Sequence, residues 1–159
     1  MAGDAKETEK ERLDRNLIEL LNEVRVALPG VQVLFAFLLT VPFTQRFTTI
    51  TATQEKVYYA TLLCTTASSV LLIAPSAQHR INFRQVDKAH IVFLANKLTI
   101  AGLTFLALAM SGVVFLITDV LYSSTATALA TGGAVIAFAV LWYAVPIWRR
   151  LRGGGTRPT

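Results

Sequence analysis

The side chains that could do acid–base or metal chemistry gather in one short stretch, "LLIAPSAQHRINFRQVDKAH". His79 stands beside Arg80, and Asp87 lies three residues before His90, so the latter two could share one face of a helix. Histidine titrates near neutral pH and is a common metal ligand. Two histidines and one aspartate at such loose spacing are nevertheless a weak metal signature. A solvated loop that anchors membrane helices explains these residues more simply.

The composition places the stretch beside a membrane. Of 159 residues, 53% are hydrophobic and only 16% are charged, whereas soluble domains are about 25% charged. The single cysteine, Cys64, excludes an internal disulfide and a cysteine-cluster metal site. The sequence contains no nucleophile–base pattern and no glycine-rich phosphate loop. We therefore expect a non-enzymatic protein that needs no cofactor, with the lipid bilayer and not a nucleic acid as its surroundings.

Four uncharged apolar segments are each long enough to cross a bilayer, which takes roughly 17–25 residues. Backbone polar groups in lipid must be satisfied within the segment, so each segment is expected to be a helix. The predicted fold class is an all-α integral membrane protein with four transmembrane helices preceded by an amphipathic helix. The predicted spans are residues 26–45, 57–77, 98–118 and 126–147.

Lysines and arginines around these spans predict the orientation. Before, between and after the spans they number 5, 2, 4, 0 and 4 in chain order. Positive charge marks the cytoplasmic side of a membrane protein. The sequence therefore predicts a multi-pass protein of the cell's inner (plasma) membrane with both termini in the cytoplasm. Residues 78–97 are the predicted cytoplasmic loop, which begins after Pro75 closes the second helix. Residues 1–8 and the basic tail 148–159 are predicted to be disordered.

The N-terminal segment 9–28 has a helical pattern of its own. Thr8 and Glu11 form a predicted capping box, and Pro29 is expected to end or kink the helix. Its apolar residues follow alternating steps of four and three, as in a coiled coil. Acidic and basic residues are nearly balanced here, which favours packing against protein over lying on anionic lipid. The candidate interaction face is Leu13, Leu17, Leu20 and Val24.

A few polar side chains lie within or next to the apolar spans. Gln32 near the start of the first span could either lie near the cytoplasmic interface and bond a neighbouring helix or water, or face a substrate or ion cavity. Small residues and hydroxyls, including Ala60, Cys64 and Ser68 at steps of four, could either let helices approach closely or line a polar pathway. The candidate polar residues of the membrane and its interface are Gln32, Thr65, Ser68, Ser111, His79 and Arg80.

The segments "ERLDRNLIELLNEVRVALPGVQVLFAFLLTVPFTQRF", "LLIAPSAQHRINFR" and "ANKLTIAGL" resemble a family of small actinobacterial four-span membrane proteins of unknown function. The similarity extends from about Glu11 to Arg150. It implies the four-span topology and a bacterial source, and some members carry the automatic label of sodium:proton antiporter. It implies no site residues.

The sequence leaves two hypotheses about function open. The first is an accessory or scaffold protein that self-associates, or binds a membrane or cytoplasmic partner, through its N-terminal helix. The second is a small oligomeric transporter, such as a sodium/proton antiporter. Antiport usually requires ionisable groups inside the membrane. The uncharged spans therefore favour the accessory protein.

Overall fold

In a computed structural model, residues 9–81 and 88–153 are described, and none of these residues lies in a β-strand. Two short 3₁₀ turns connect the first two long helices, and a π-helical segment separates the last two helices. The elements are α1 (Glu9–Thr40), the 3₁₀ turns Val41–Phe43 and Gln45–Thr49, α2 (Ala52–Ile81), α3 (Lys88–Leu121), α4 (Ser124–Phe138), the π segment Ala139–Ala144, and α5 (Val145–Gly153).

Within the described ranges, four helical stretches are long and apolar enough to cross a membrane, as the sequence predicted. Their residues are Glu11–Phe43, Ala52–Gln78, Val92–Leu121 and Ser124–Arg149. The all-α class is confirmed for this part of the chain, and the four stretches are compatible with a multi-pass membrane protein.

Neither proline ends its helix: the predicted closure at Pro75 is wrong, and of the end or kink predicted at Pro29 the end is wrong. The amphipathic segment 9–28 and the span 26–45 are one helix, α1, with Pro29 inside it. Helix α2 likewise continues past Pro75 to Ile81. A proline removes one backbone hydrogen bond, and in apolar surroundings a helix is favoured over an irregular segment, which would leave more backbone groups unsatisfied.

The predicted loop and tail are also shorter than expected. Helices α2 and α3 extend into residues 78–97 from both ends, and α5 continues to Gly153 inside the predicted tail 148–159. The predicted disorder of residues 1–8, the capping residue Thr8, and the rest of the predicted tail lie outside the described residues.

The chain divides into two compact units. The first comprises Met1–Ile50 and Leu62–Leu106, and the second comprises Thr51–Thr61 and Ala107–Thr159. In the first unit, the buried side chains come from α1, α2 and α3 and include Val24, Leu38 and Leu72. In the second unit, α4 and the elements after it are mostly exposed, and Thr127 is the buried residue of α4.

Candidate functional site

The apolar face of α1 is covered by the first unit itself. Leu20 is 8% exposed and Val24 is 1% exposed, while Leu13 and Leu17 are half-buried. The same face continues in the apolar half of the helix, where Val31 and Leu38 are buried. Val24, Val31 and Leu38 follow one another at steps of seven residues, the repeat of a coiled-coil face.

This burial bears on the predicted interaction face, which could pack against the protein's own residues or against a partner. Leu20 and Val24 pack inside the chain, so they cannot also pack against another molecule without partial unfolding. The opposite side of the helix is open, because Ile18 is 60% exposed and Val26 is 81% exposed. The helix is therefore part of the core of the first unit, and a partner could reach only its outward face.

A groove beside the covered face joins α1 to the start of α3. It has a volume of about 420 Å³. Two carboxylates, from Glu19 and Glu23, give it an acidic wall, and Lys97 Nζ lies 4.4 Å from the centre of the Phe93 ring. We call this the acidic groove; it is lined by Asn16, Glu19, Leu20, Glu23, Val92, Phe93 and Asn96.

Another groove of the first unit joins α1 to α2 and has a volume of about 320 Å³. Here the polar groups are the guanidinium of Arg25, the amide of Gln32 and the hydroxyl of Ser76, and all three residues are exposed. We call this the Gln32 groove; it is lined by Leu21, Val24, Arg25, Leu28, Pro29, Gln32 and Ser76. Gln32 is exposed in this groove, which fits both of its predicted roles, a polar contact at the interface and a residue that faces a cavity.

The buried hydroxyls of α2 belong to helix packing. Ser68 Oγ donates a hydrogen bond of 2.8 Å to the carbonyl of Gly102 on α3. A Cβ at Gly102 would lie 2.8 Å from side-chain atoms of Leu72, so the two backbones approach closely at this point. Thr65 is fully buried on the same face. These contacts support packing over a polar pathway for Thr65 and Ser68.

The small-residue face of α2 differs from the one expected. Ala60 is exposed and Cys64 is half-buried, so the four-residue series through Ser68 does not form the contact. The buried positions alternate steps of three and four, a pattern that the sequence contains and that could have been recognised. They are Tyr58, Thr61, Thr65, Ser68, Leu72 and Pro75.

The hydroxyls of α3 bond mostly along their own helix. Ser111 Oγ donates to the carbonyl of Ala107 at 2.8 Å, and Thr104 Oγ1 donates to that of Ile100 at 2.8 Å. Thr99 is buried, and its Oγ1 has no hydrogen-bond partner in the described part of the chain. In the second unit, Gly112 contacts Thr61 so closely that an added Cβ would overlap Thr61 Oγ1.

A polar pair that sequence reasoning missed lies at the start of α2. Gln54 Nε2 donates a hydrogen bond of 2.8 Å to Asp119 Oδ2, near the end of α3. Gln54 also forms a capping box with Thr51, in which each accepts the other's backbone N–H at 2.9 and 3.2 Å. Thr51 and Gln54 match the Ser/Thr-x-x-Glu/Gln pattern of a capping box, so the cap was readable from the sequence.

The histidine stretch cannot be assembled into a site. His79 and Arg80 lie in the last turn of α2, and Arg80 is exposed. Asp87, together with the side chains of His79 and His90, lies outside the described residues. The part of the chain that is described contains no group of three or more His, Cys, Asp or Glu residues able to hold a metal ion.

Comparison with known proteins gives one family. The model of DUF6328, a family of unknown function, matches residues 6–146. The chain belongs to this family. No curated protein and no solved structure matches the chain. The match spans most of this DUF6328 protein, from α1 into α5, so both grooves and the α2–α3 contacts lie within the family region.

Proposed function

We propose that this DUF6328 protein is a non-enzymatic, multi-pass protein of a bacterial plasma membrane that serves as an accessory or scaffold protein, with both termini in the cytoplasm. The observation that supports this most directly is the bond from Ser68 to the Gly102 carbonyl. The bond uses a buried hydroxyl to hold two helices together, so this hydroxyl is not free to line a transport path.

The surface available for an accessory role is the outward face of the N-terminal part of α1. It carries both signs of charge, and Arg15 Nε and Glu19 Oε1 lie 3.9 Å apart on it. Mixed charge suits a protein partner or a second copy better than anionic lipid. The exposed charged residues of this face are Glu11, Arg12 and Arg15, and Glu19 and Glu23 lie at its border with the acidic groove.

A photoreactive residue in place of exposed Asn22 tests this role in intact cells. We expect a discrete crosslinked species that disappears when Arg12→Glu and Arg15→Glu are combined. The pair Arg46→Glu and Lys56→Glu is the matched control, because both of its residues are exposed and lie at the opposite end of the apolar spans. Crosslinking that is equal in the two double variants would contradict the accessory role of this face.

Transport is tested separately with purified protein in liposomes. We expect sodium-driven proton flux equal to that of protein-free vesicles. Flux that rises with the amount of protein would contradict the proposal and support a small oligomeric sodium/proton antiporter. Ser68→Ala would then show whether the α2–α3 hydroxyls contribute to the path.

A further inference from the structure

Two polar residues of the Gln32 groove, Arg25 and Gln32, lie on α1 at different distances from the expected membrane surface. Arg25 precedes the uncharged stretch of residues 26–45, and Gln32 follows it after seven residues. Seven residues are two helical turns, so the two side chains share one side of α1 and are about 10 Å apart along its axis. Arg25 therefore lies at the level of the lipid headgroups, and Gln32 lies at the upper part of the acyl chains.

The polar side chains of this groove have no polar partner in the described part of the chain. Arg25, Gln32 and Ser76 have no side-chain hydrogen bond or ion pair within residues 9–81 and 88–153. An amide facing hydrocarbon without a partner is unfavourable by several kcal/mol. A molecule that supplies an anion at Arg25 and hydrogen-bonding oxygens near Gln32 and Ser76 would satisfy all three.

We propose that the Gln32 groove binds one anionic phospholipid of the surrounding membrane. Its phosphate pairs with Arg25, its glycerol ester oxygens accept hydrogen bonds from Gln32 and Ser76, and its acyl chains extend beyond Gln32. A volume of about 320 Å³ suits the headgroup and glycerol region, while the chains continue into the bilayer. The binding site rests on the proposed membrane location and is independent of any accessory role.

Charge distinguishes this groove from its neighbour. The acidic groove has carboxylates from Glu19 and Glu23 in its wall, which would repel a lipid phosphate. The Gln32 groove has a cation and no acidic residue among its lining residues. Basic pockets between membrane helices are known binding places for anionic headgroups. Of the two grooves beside α1, the Gln32 groove therefore has the lining residues that suit an anionic headgroup better.

Native mass spectrometry of the full chain tests the proposal. Protein in mild detergent receives equimolar dioleoyl phosphatidylglycerol and dioleoyl phosphatidylcholine. We expect one phosphatidylglycerol to be retained preferentially, and Arg25→Gln to lower that preference about fivefold, as expected from a contribution of about 1 kcal/mol per basic residue near a membrane surface. Arg25→Lys should keep most of the preference. Arg46→Gln, an exposed arginine beyond the apolar stretch, should leave it unchanged.

The hydrogen bond from Gln32 to the glycerol esters is tested by Gln32→Leu. This variant should retain less of both lipids, and the ratio of retained phosphatidylglycerol to phosphatidylcholine should stay the same. Soluble glycerol phosphate should not displace the lipid, because it lacks acyl chains. Equal retention of the two lipids by the wild type, or an unchanged preference in Arg25→Gln, would overturn the proposal. So would a wild-type dimer that binds no lipid, since a second copy would then occupy the groove.

Discussion

Gln54 and Asp119 join the first turn of α2 to the last turns of α3 through a hydrogen bond of 2.8 Å. The C-terminal end of a helix is an unfavourable place for a negative charge, and the N-terminal end is a favourable one. The bond brings the Asp119 carboxylate to the N-terminal end of α2. Because the other end of the Gln54 amide accepts the N–H of Thr51, one side chain both caps α2 and holds α3.

We therefore expect Gln54→Leu to lower the free energy of unfolding by about 1–2 kcal/mol, since it removes a hydrogen bond to a charged group. The measurement is titration with sodium dodecyl sulfate followed by circular dichroism. Gln54→Glu separates the two roles, because a carboxylate can still accept the Thr51 N–H but cannot donate to Asp119. Gln45→Leu is the control, because Gln45 is an exposed glutamine; an equal loss there would show that the Asp119 bond contributes nothing.

Gly112→Ala should destabilise the second unit by about 1–3 kcal/mol, the usual penalty for overpacking. The added methyl group would overlap Thr61 Oγ1, which is held by a hydrogen bond of 2.7 Å to the carbonyl of Val57. Adding Thr61→Ala should recover most of the loss. Gly132→Ala and Gly133→Ala are the matched controls, because nothing in the described chain lies within 4 Å of a Cβ at either position.

These α4 controls should be neutral or slightly stabilising, because alanine favours a helix over glycine by about 1 kcal/mol. Unfolding of all variants is measured by the same detergent titration. A Gly112→Ala protein as stable as Gly133→Ala would contradict the close approach of α2 and α3 at Thr61.

Leu20→Ala should lower the free energy of unfolding by about 2–5 kcal/mol, since it leaves a cavity in the first unit. Ile18→Ala, on the open side of the same helix, should change it by less than about 0.5 kcal/mol. If the covered face were instead an interface with another chain, Leu20→Ala would leave unfolding of the monomer unchanged and would only weaken association. Detergent titration and size analysis of both variants distinguish the two cases.

The orientation predicts a labelling pattern in intact cells. In a Cys64→Ser background, a cysteine at Ala77 should be protected from a membrane-impermeant thiol reagent, and a cysteine at Ser123 should react. Both positions are exposed, so burial does not explain a difference. Permeabilised cells, in which both positions should react, are the control. The reverse pattern would place both termini outside the cell.

The four apolar helices could be predicted from the sequence because each one is determined by the residues of its own segment. A run of about 20 uncharged apolar residues in lipid can satisfy its backbone only as a helix, whatever it packs against. The proline rule, which describes helices in water, failed at Pro75, where it predicted the end of a helix, and the end that it allowed at Pro29 is also absent. The missed bond from Gln54 to Asp119 joins residues 65 positions apart, and no local pattern indicates such a pairing.

The sequence by itself also determined the periodic apolar face of α1 and the excess of charge at the ends of the spans. Only the tertiary structure decided what covers each face. The periodicity of Leu13, Leu17, Leu20 and Val24 shows that this face must be shielded from water, but it does not show what packs against it. In the structure, Leu20 and Val24 are buried by other residues of the first unit. Likewise, the sequence shows that Gln32 is a polar residue within an apolar segment. Only the packing of α1 beside α2 places it in an open groove with Arg25 and Ser76. Burial depends on which helices meet, and that depends on contacts between residues far apart in the chain.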